Sequence, residues 1–224
     1  MTKIIICSVC GKKSHTKDPN RPRTTDGRNI IDKYFGWTNE DINKDLRKHS
    51  NNFSVVICNI EQNINVGAII RSANAFGAHR VILYGSKRYD RRATCGTHHY
   101  CDMIHCKDIN NLKNYIHSCI QETHKWWQNK IDVPTHQIAP LVIGIDKFNK
   151  WSEHPEISNV IIKTFKWPKK AHTIMVFGSE VGGIPEEVLN LCDTTVYIPQ
   201  QGSIRNLNLA CAASIVMYDY VNKI

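Results

Sequence analysis

The stretch IPQQGSIRNLNLA at residues 198–210 decides how this chain is read. The apolar run 195–198 has the form of a buried strand, and Pro199, which cannot donate a ladder hydrogen bond, ends it. Polar residues around Gly202 then make a loop, and Asn206-Leu207-Asn208 opens a helix predicted to run from 207 to 221, Asn being a favoured helix N-cap. Two segments upstream share this grammar of strand end, tight loop and helix start. In VFGSEVGGIPEE (176–187) the strand stops at Gly178-Ser179-Glu180. Gly182 and Gly183 permit a sharp turn, and Pro185 suits a helix's first turn. Having no β-carbon, Gly178 lets backbone approach a ligand closely. In NINVGAIIRSANAFG (63–77), Asn65 precedes a helix whose Val66, Ile69, Ile70 and Ala73 form one apolar stripe. At 100° per residue Arg71 falls well off that stripe, free to face a ligand.

Between and before these segments the pattern continues. Residues 53–60, 80–84, 141–145 and 173–177 read as buried strands, 66–76 as a helix, and 109–127 as a long helix with Ile109, Leu112, Ile116, Cys119 and Ile120 on one face. A short helix starts at Pro185. Strands alternating with helices specify an α/β fold, a mostly parallel sheet with helices on both faces. The expected division is a basic N-terminal arm with a short helix over 1–52, and the main domain over 53–224. The arm is polar and rich in turn formers to residue 29. Its helix starts at Thr38, which can cap it with Asp41 three residues on, and ends near His49, with Ile42 and Leu46 facing inward.

Composition narrows the class. Among 224 residues, 42% are hydrophobic and 22% charged, and no apolar run approaches the ~18 residues of a membrane span. With no membrane segment and no secretory leader, a soluble, cytoplasmic protein is expected. The nine cysteines are an odd, scattered set, expected as reduced thiols. Cys7 and Cys10 have the C-x-x-C-G form of a zinc knuckle but no second such pair, so no metal is expected. The 29 Lys and Arg exceed the 20 Asp and Glu by nine, which favours a polyanionic partner. The excess is local. Lys12, Lys13, Lys17, Arg21, Arg23 and Arg28 load the arm, while Lys87, Arg88, Arg91 and Arg92 surround Tyr89, a pattern suited to phosphate contact with base stacking.

Taken together and in this order, the three segments resemble the three motifs of the SpoU (TrmH-like) family within the SPOUT class of RNA methyltransferases. The resemblance covers roughly the last 160 residues. It implies a fold closed by a deep C-terminal trefoil knot, S-adenosylmethionine as methyl donor, tRNA or rRNA as partner, a homodimer, and transfer of a methyl group to a ribose 2'-hydroxyl. It implies catalytic roles for Asn65, Arg71, Glu180, Asn206 and Asn208. Donor binding falls to Ile145, Gly178, Ile198, Asn206 and Leu207, and RNA contact to Arg71, to which the clustered charge of Lys87, Arg88, Arg91 and Arg92 is added. In the family the arginine has been proposed to help deprotonate the hydroxyl, yet an arginine keeps its proton far above neutral pH. A guanidinium clamped on the adjacent phosphate fits electrostatic catalysis better. Glu180 is then available to orient Arg71 or another polar group.

The chain departs from the family pattern at two places, having Asn206 and Ala210 where the family usually has serine. Asparagine keeps hydrogen-bonding ability without a hydroxyl. The alternative reading is therefore a degenerate member that binds RNA or the donor without turnover. A dinucleotide oxidoreductase would share the strand-helix alternation, but no G-x-G-x-x-G follows the first strand.

Overall fold

The computed structural model describes residues 4–6, 13–15, 27–58, 60–128, 139–146 and 157–224, and the chain divides into the units Met1–Gly36 and Trp37–Ile224. In the first unit, β1 (Ile4–Ile6) pairs antiparallel with β2 (Lys13–His15), where the sequence predicts irregular chain. A 3-10 turn follows at Asp32–Tyr34. Cys7 and Cys10 of the C-x-x-C-G segment lie outside the described residues, as does most of the basic arm.

The second unit opens with α1 (Asn39–Lys48). Thr38 caps it as expected, its hydroxyl accepting from the Asp41 amide and donating to the Asp41 carboxylate. Seven strands then build one parallel sheet: β3 (Phe53–Cys58), β4 (Arg80–Tyr84), β5 (Met103–Cys106), β6 (Leu141–Ile145), β7 (Asn159–Ile161), β8 (Thr173–Phe177) and β9 (Thr194–Tyr197). Their spatial order is β5-β4-β3-β8-β6-β9-β7, and every pairing is parallel. The late strands β8 and β9 are each inserted between strands laid down earlier.

Strand periodicity distributes the core over two faces. Phe53, Val55 and Ile57 of β3, with Met175 and Phe177 of β8, pack towards α2 (Asn63–Ala75) and α6 (Leu209–Lys223). Val56, Cys58, Ile174 and Val176 point the other way, towards Leu112, Tyr115 and Cys119 of α4 (Ile109–Gln128) and Val188 and Leu189 of α5 (Glu186–Leu189). The helix stripe Val66, Ile69, Ile70 and Ala73 is buried as its spacing requires.

Several boundaries differ from the sequence reading. Helix α2 starts at Asn63 behind Gln62, so Asn65 sits inside its first turn and does not precede it. Helix α6 starts two residues late, at Leu209, with Asn208 as its cap. Strands β5 and β7 were not predicted. Both are short edge strands with mostly half-buried residues, so neither carries the continuous apolar run of a buried parallel strand. A single helical turn, α3 (Arg91–Thr94), and a 3-10 turn at Thr97–His99 also escape prediction, being too short for a helical period.

At the N-terminal ends of β3 and β8 lies a buried polar chain. The Tyr115 hydroxyl donates to Ser54 Oγ (2.8 Å), which lies 2.9 Å from His172 Nε2. His172 Nδ1 lies 2.8 Å from Asn52 Oδ1, an acceptor, so Nδ1 carries the proton and Nε2 must accept from Ser54. Burial, with His79 and Arg80 nearby, pushes His172 down to about 3. The unfolded chain takes up this proton near pH 6.5 and the folded one does not, so stability falls as pH drops from about 6.5 towards 3, by up to about 1.4 kcal/mol per pH unit. Urea midpoints measured from pH 7 to 4.5 are expected to fall less steeply for His172→Gln than for the wild type. Parallel slopes would mean that His172 charges freely in the folded state.

Candidate functional site

A cavity of about 660 Å³ opens beyond the carboxyl ends of β6, β8 and β9. Open parallel sheets place their ligand sites at this end, and the size lies within the ~300–1,000 Å³ of small-molecule pockets. Its wall contains Ile145, Gly178, Ile198, Asn206 and Leu207, all five residues expected to hold a donor, and also Glu180. The wall is thus apolar side chain and glycine backbone, with Asp146, Glu180 and Arg205 as charged groups.

Behind Glu180 three distant segments are tied together. Asn208 Oδ1 accepts from the amides of Ala210 (3.0 Å) and Cys211 (3.2 Å), capping α6. Its Nδ2 must therefore face outward, and it donates to Asn65 Oδ1 at 3.2 Å. Asn65 Nδ2 in turn donates to Gln62 Oε1 (3.1 Å) and to the Glu180 carboxylate. Backbone N–H groups fix the polarity of this chain at one end and a carboxylate, which only accepts, fixes it at the other. The side chain of Asn65 is buried in α2, whose own cap, Gln62, makes no side-chain cap bond. Asn65 consequently serves the network and not the helix end. Asn206 joins more loosely, its Nδ2 lying 3.5 Å from the Glu180 carbonyl oxygen.

The loop that carries Glu180 explains Gly178. Ser179 and Gly183 exchange both backbone hydrogen bonds at 2.9 Å, and the Ser179 hydroxyl accepts from the Gly182 amide. Folding back this tightly brings the Gly183–Ile184 backbone onto Gly178, where a β-carbon would lie 2.1 Å from Gly183 C and 2.2 Å from Ile184 N. The close backbone approach expected at Gly178 is thus to the chain's own loop, beside the cavity.

Arg71 is placed differently. It lies six residues beyond Asn65, about 9 Å further along the α2 axis. It is exposed, does not line the cavity, and donates from Nη1 to Cys95 Sγ at 3.2 Å. Of the two partners open to Glu180, the structure therefore gives it Asn65. In the basic segment Lys87, Arg88 and Arg91 are exposed. Arg92 is held by Asp90 at 2.8 Å, and this bond keeps the Asp90 carboxyl below the usual carboxylate range. Tyr89 is half-buried, packs on the core and meets the His98 ring at 5.7 Å, so it is no open stacking platform.

Sequence reasoning missed Asp146, Tyr197 and Arg205 in the cavity wall and Cys95 beside Arg71. Asp146 directly follows β6, and the rule that parallel sheets bind ligands at strand carboxyl ends could have found it. Nothing in the sequence around Cys95 places it against α2.

The Asn208 bonds make a test. Asn208→Ala removes a helix cap and should cost about 1 kcal/mol in urea unfolding. Asn65→Ala should couple to it by about 0.5 kcal/mol or more in a double-mutant cycle, because the two side chains share a bond. Strict additivity would show that the contact carries no energy.

Comparison with known proteins places this geometry. Residues 52–218 match the model of the SpoU rRNA Methylase family. The chain is 28% identical over 167 residues to a 23S rRNA (uridine(2479)-2'-O)-methyltransferase of Streptomyces viridochromogenes, covering 71% of this chain and 48% of that protein. It is 21% identical over 176 residues to the tRNA (guanosine(18)-2'-O)-methyltransferase of Aquifex aeolicus, covering 78% and 71%. Among solved structures, the SpoU methyltransferase AviRb from Streptomyces viridochromogenes in complex with AdoMet superposes with a TM-score of 0.57 at 24% identity, over 75% of this chain and 56% of that one. The chain spans about half the length of the first of these relatives. With three quarters of its residues inside the family model, the chain belongs to the SpoU rRNA Methylase family.

Proposed function

We propose that this protein is an S-adenosylmethionine-dependent RNA methyltransferase that methylates a ribose 2'-hydroxyl of tRNA or rRNA. The observation that carries the reading is the Asn208-Asn65-Glu180 chain, which joins all three family segments at the edge of the cavity. The cavity fits the donor: Ile145, Ile198, Leu207 and Leu209 offer an apolar bed for an adenosine, while Asp146 and Arg205 can meet the charges of its amino-acid tail. When bound, the donor supplies a methyl group already activated on a sulfonium.

The protein's part is then alignment. Among the described residues the network contains amides and one carboxylate, and Glu180 is occupied as an acceptor. Arg71, outside the cavity and on the same helix as Asn65, is placed to clamp a phosphate of the target nucleotide and to stabilise the developing alkoxide. Lys87, Arg88 and Arg91 continue that positive surface. RNA alone offers the hydroxyl the reaction needs.

The reading extends to assembly and place. Ile215 and Tyr218 leave 41% and 60% of their surface exposed on α6, an apolar patch suited to a homodimer with twofold symmetry. Packing of α6 on α2, beside the loop over 199–207, is compatible with the C-terminal trefoil knot of the family. The reading includes a cytoplasmic setting; among the described residues no helix is long and apolar enough to cross a membrane.

The test is transfer of labelled methyl from S-adenosylmethionine to unmodified total RNA, followed by nuclease digestion to identify a 2'-O-methyl nucleotide. Arg71→Ala should lower kcat about 100-fold, the scale of removing one group that stabilises developing negative charge, with donor affinity unchanged. Equal activity would refute the clamp. RNA affinity should fall steeply with salt, and neutralising Lys87, Arg88 and Arg91 should flatten the log–log slope by roughly 0.7 per lost contact on a single strand. Arg92→Gln should change it little, because Asp90 already neutralises that charge.

A further inference from the structure

A thiol stands next to the arginine assigned to the RNA, and the backbone that presents it is unusual. Gly67 and Arg71 are one turn apart on the same face of α2. Gly67 is where the segment after Tyr89 presses on the helix: a β-carbon there would lie 2.5 Å from Asp90 O and 2.7 Å from Ala93 Cβ. The Asp90 amide donates to Asn63 O at 2.9 Å and fastens the same segment to the first turn of α2. One turn further on, Cys95 meets Arg71. Cys95 ends α3 in the left-handed conformation, φ 48° and ψ 35°, and among the described residues it is the one non-glycine with positive φ. Glycine is the residue usually found at this kind of helix end, because a β-carbon is disfavoured there. Gly96, immediately after, also has positive φ.

The sulfur is engaged on both sides. Its S–H donates to Arg92 O at 3.6 Å, which leaves lone pairs to accept the Arg71 Nη1–H at 3.2 Å. Among the described residues, Cys95 is the side-chain hydrogen-bond partner of Arg71, and no carboxylate pairs with that guanidinium. An acceptor this weak orients the guanidinium without neutralising it, leaving its charge for a phosphate. A residue kept in a disfavoured conformation where glycine would be easier points to use of its side chain.

We propose that Cys95 is a positioning residue for Arg71: its thiol, held by the left-handed turn and by the packing at Gly67, sets the direction in which the guanidinium meets the RNA. This rests on the methyltransferase reading above. It adds a residue that touches neither donor nor reacting atoms.

The experiment compares Cys95→Gly, Cys95→Ala and Cys95→Ser in the full-length protein. Cys95→Gly relieves the backbone, so its melting temperature should rise by about 2 °C or more. Its kcat should nevertheless fall about tenfold, with the KM for the donor unchanged. Cys95→Ala should show the same loss of kcat without the gain in melting temperature, and Cys95→Ser, which retains an acceptor, should recover most of the rate. A merely structural role would move stability and rate together. The Arg71 Nε–Hε resonance, assigned by its disappearance in Arg71→Lys, should shift in the Gly and Ala variants and stay near wild type in Ser. Wild-type rate in the Gly variant, equal losses in Ala and Ser, or an unmoved Arg71 resonance in Ala would each overturn the proposal. An inactive wild type would refute the methyltransferase reading, and the resonance would still decide whether Cys95 orients Arg71.

Discussion

The carboxamide of Asn65 is the point on which the site depends. It is buried, and it receives from Asn208 while giving to Glu180, so it joins a helix start, a loop and a helix cap separated by 143 and 115 residues of chain. A buried amide left without partners would be costly, which means that the three segments must close on one another together or not at all. The direction of every bond in this chain follows from the helix amides at one end and the carboxylate at the other. An aspartate at 65 would set an oxygen against the Glu180 carboxylate, and an alanine would leave Asn208, Glu180 and Gln62 unanswered. The residue type is fixed by its role as a two-way connector.

Chain topology explains why the connection can be made. Strand β8 is inserted between β3 and β6, so the loop after Phe177 emerges beside the start of α2, which follows β3. Strand β9 pairs with β6, so the segment leading to Asn208 emerges at the same end of the sheet. The parallel arrangement brings these carboxyl ends to one edge, and the Ser179–Gly183 bridge then bends the intervening loop so that Glu180 reaches Asn65. Gly178 has no freedom in this: a side chain would occupy the space taken by the returning backbone.

What the sequence disclosed follows from signal length. Strands β4, β6 and β8 have the predicted bounds because each is a run of apolar residues buried on both faces, and the stripe of α2 has a period that no loop imitates. The edge strands β5 and β7 are short and half-exposed, so burial leaves little trace in them. In the site, the family resemblance named Ile145, Gly178, Ile198, Asn206 and Leu207, and all five line the cavity at strand ends and the loops that follow. The partner of Glu180 was not legible, since Arg71 and Asn65 lie on one helix and sequence spacing gives no tertiary contact. Cys95 was illegible for a related reason. Its place is set by how the 90–100 segment rests on Gly67, and its left-handed backbone would have suggested glycine.

The separation of Arg71 from the cavity has a chemical consequence for the proposed reaction. A guanidinium set directly beside the positive sulfonium would repel it at close range, and Arg205, the guanidinium in the cavity wall, is the proposed partner of the donor's carboxylate. Arg71 does not line the cavity and stands six residues along α2 from Asn65, so both side chains are carried by one rigid element. In the proposed reading the helix works as a ruler: Asn65, bonded to Glu180 and Asn208, stands at the edge of the cavity, and Arg71, further along, would hold the RNA. A nucleotide bound in that way would present its ribose to the pocket mouth and its phosphate to Arg71. In that reading alignment of the 2'-oxygen would follow from the rigidity of the helix, in keeping with a network built from amides and one engaged carboxylate.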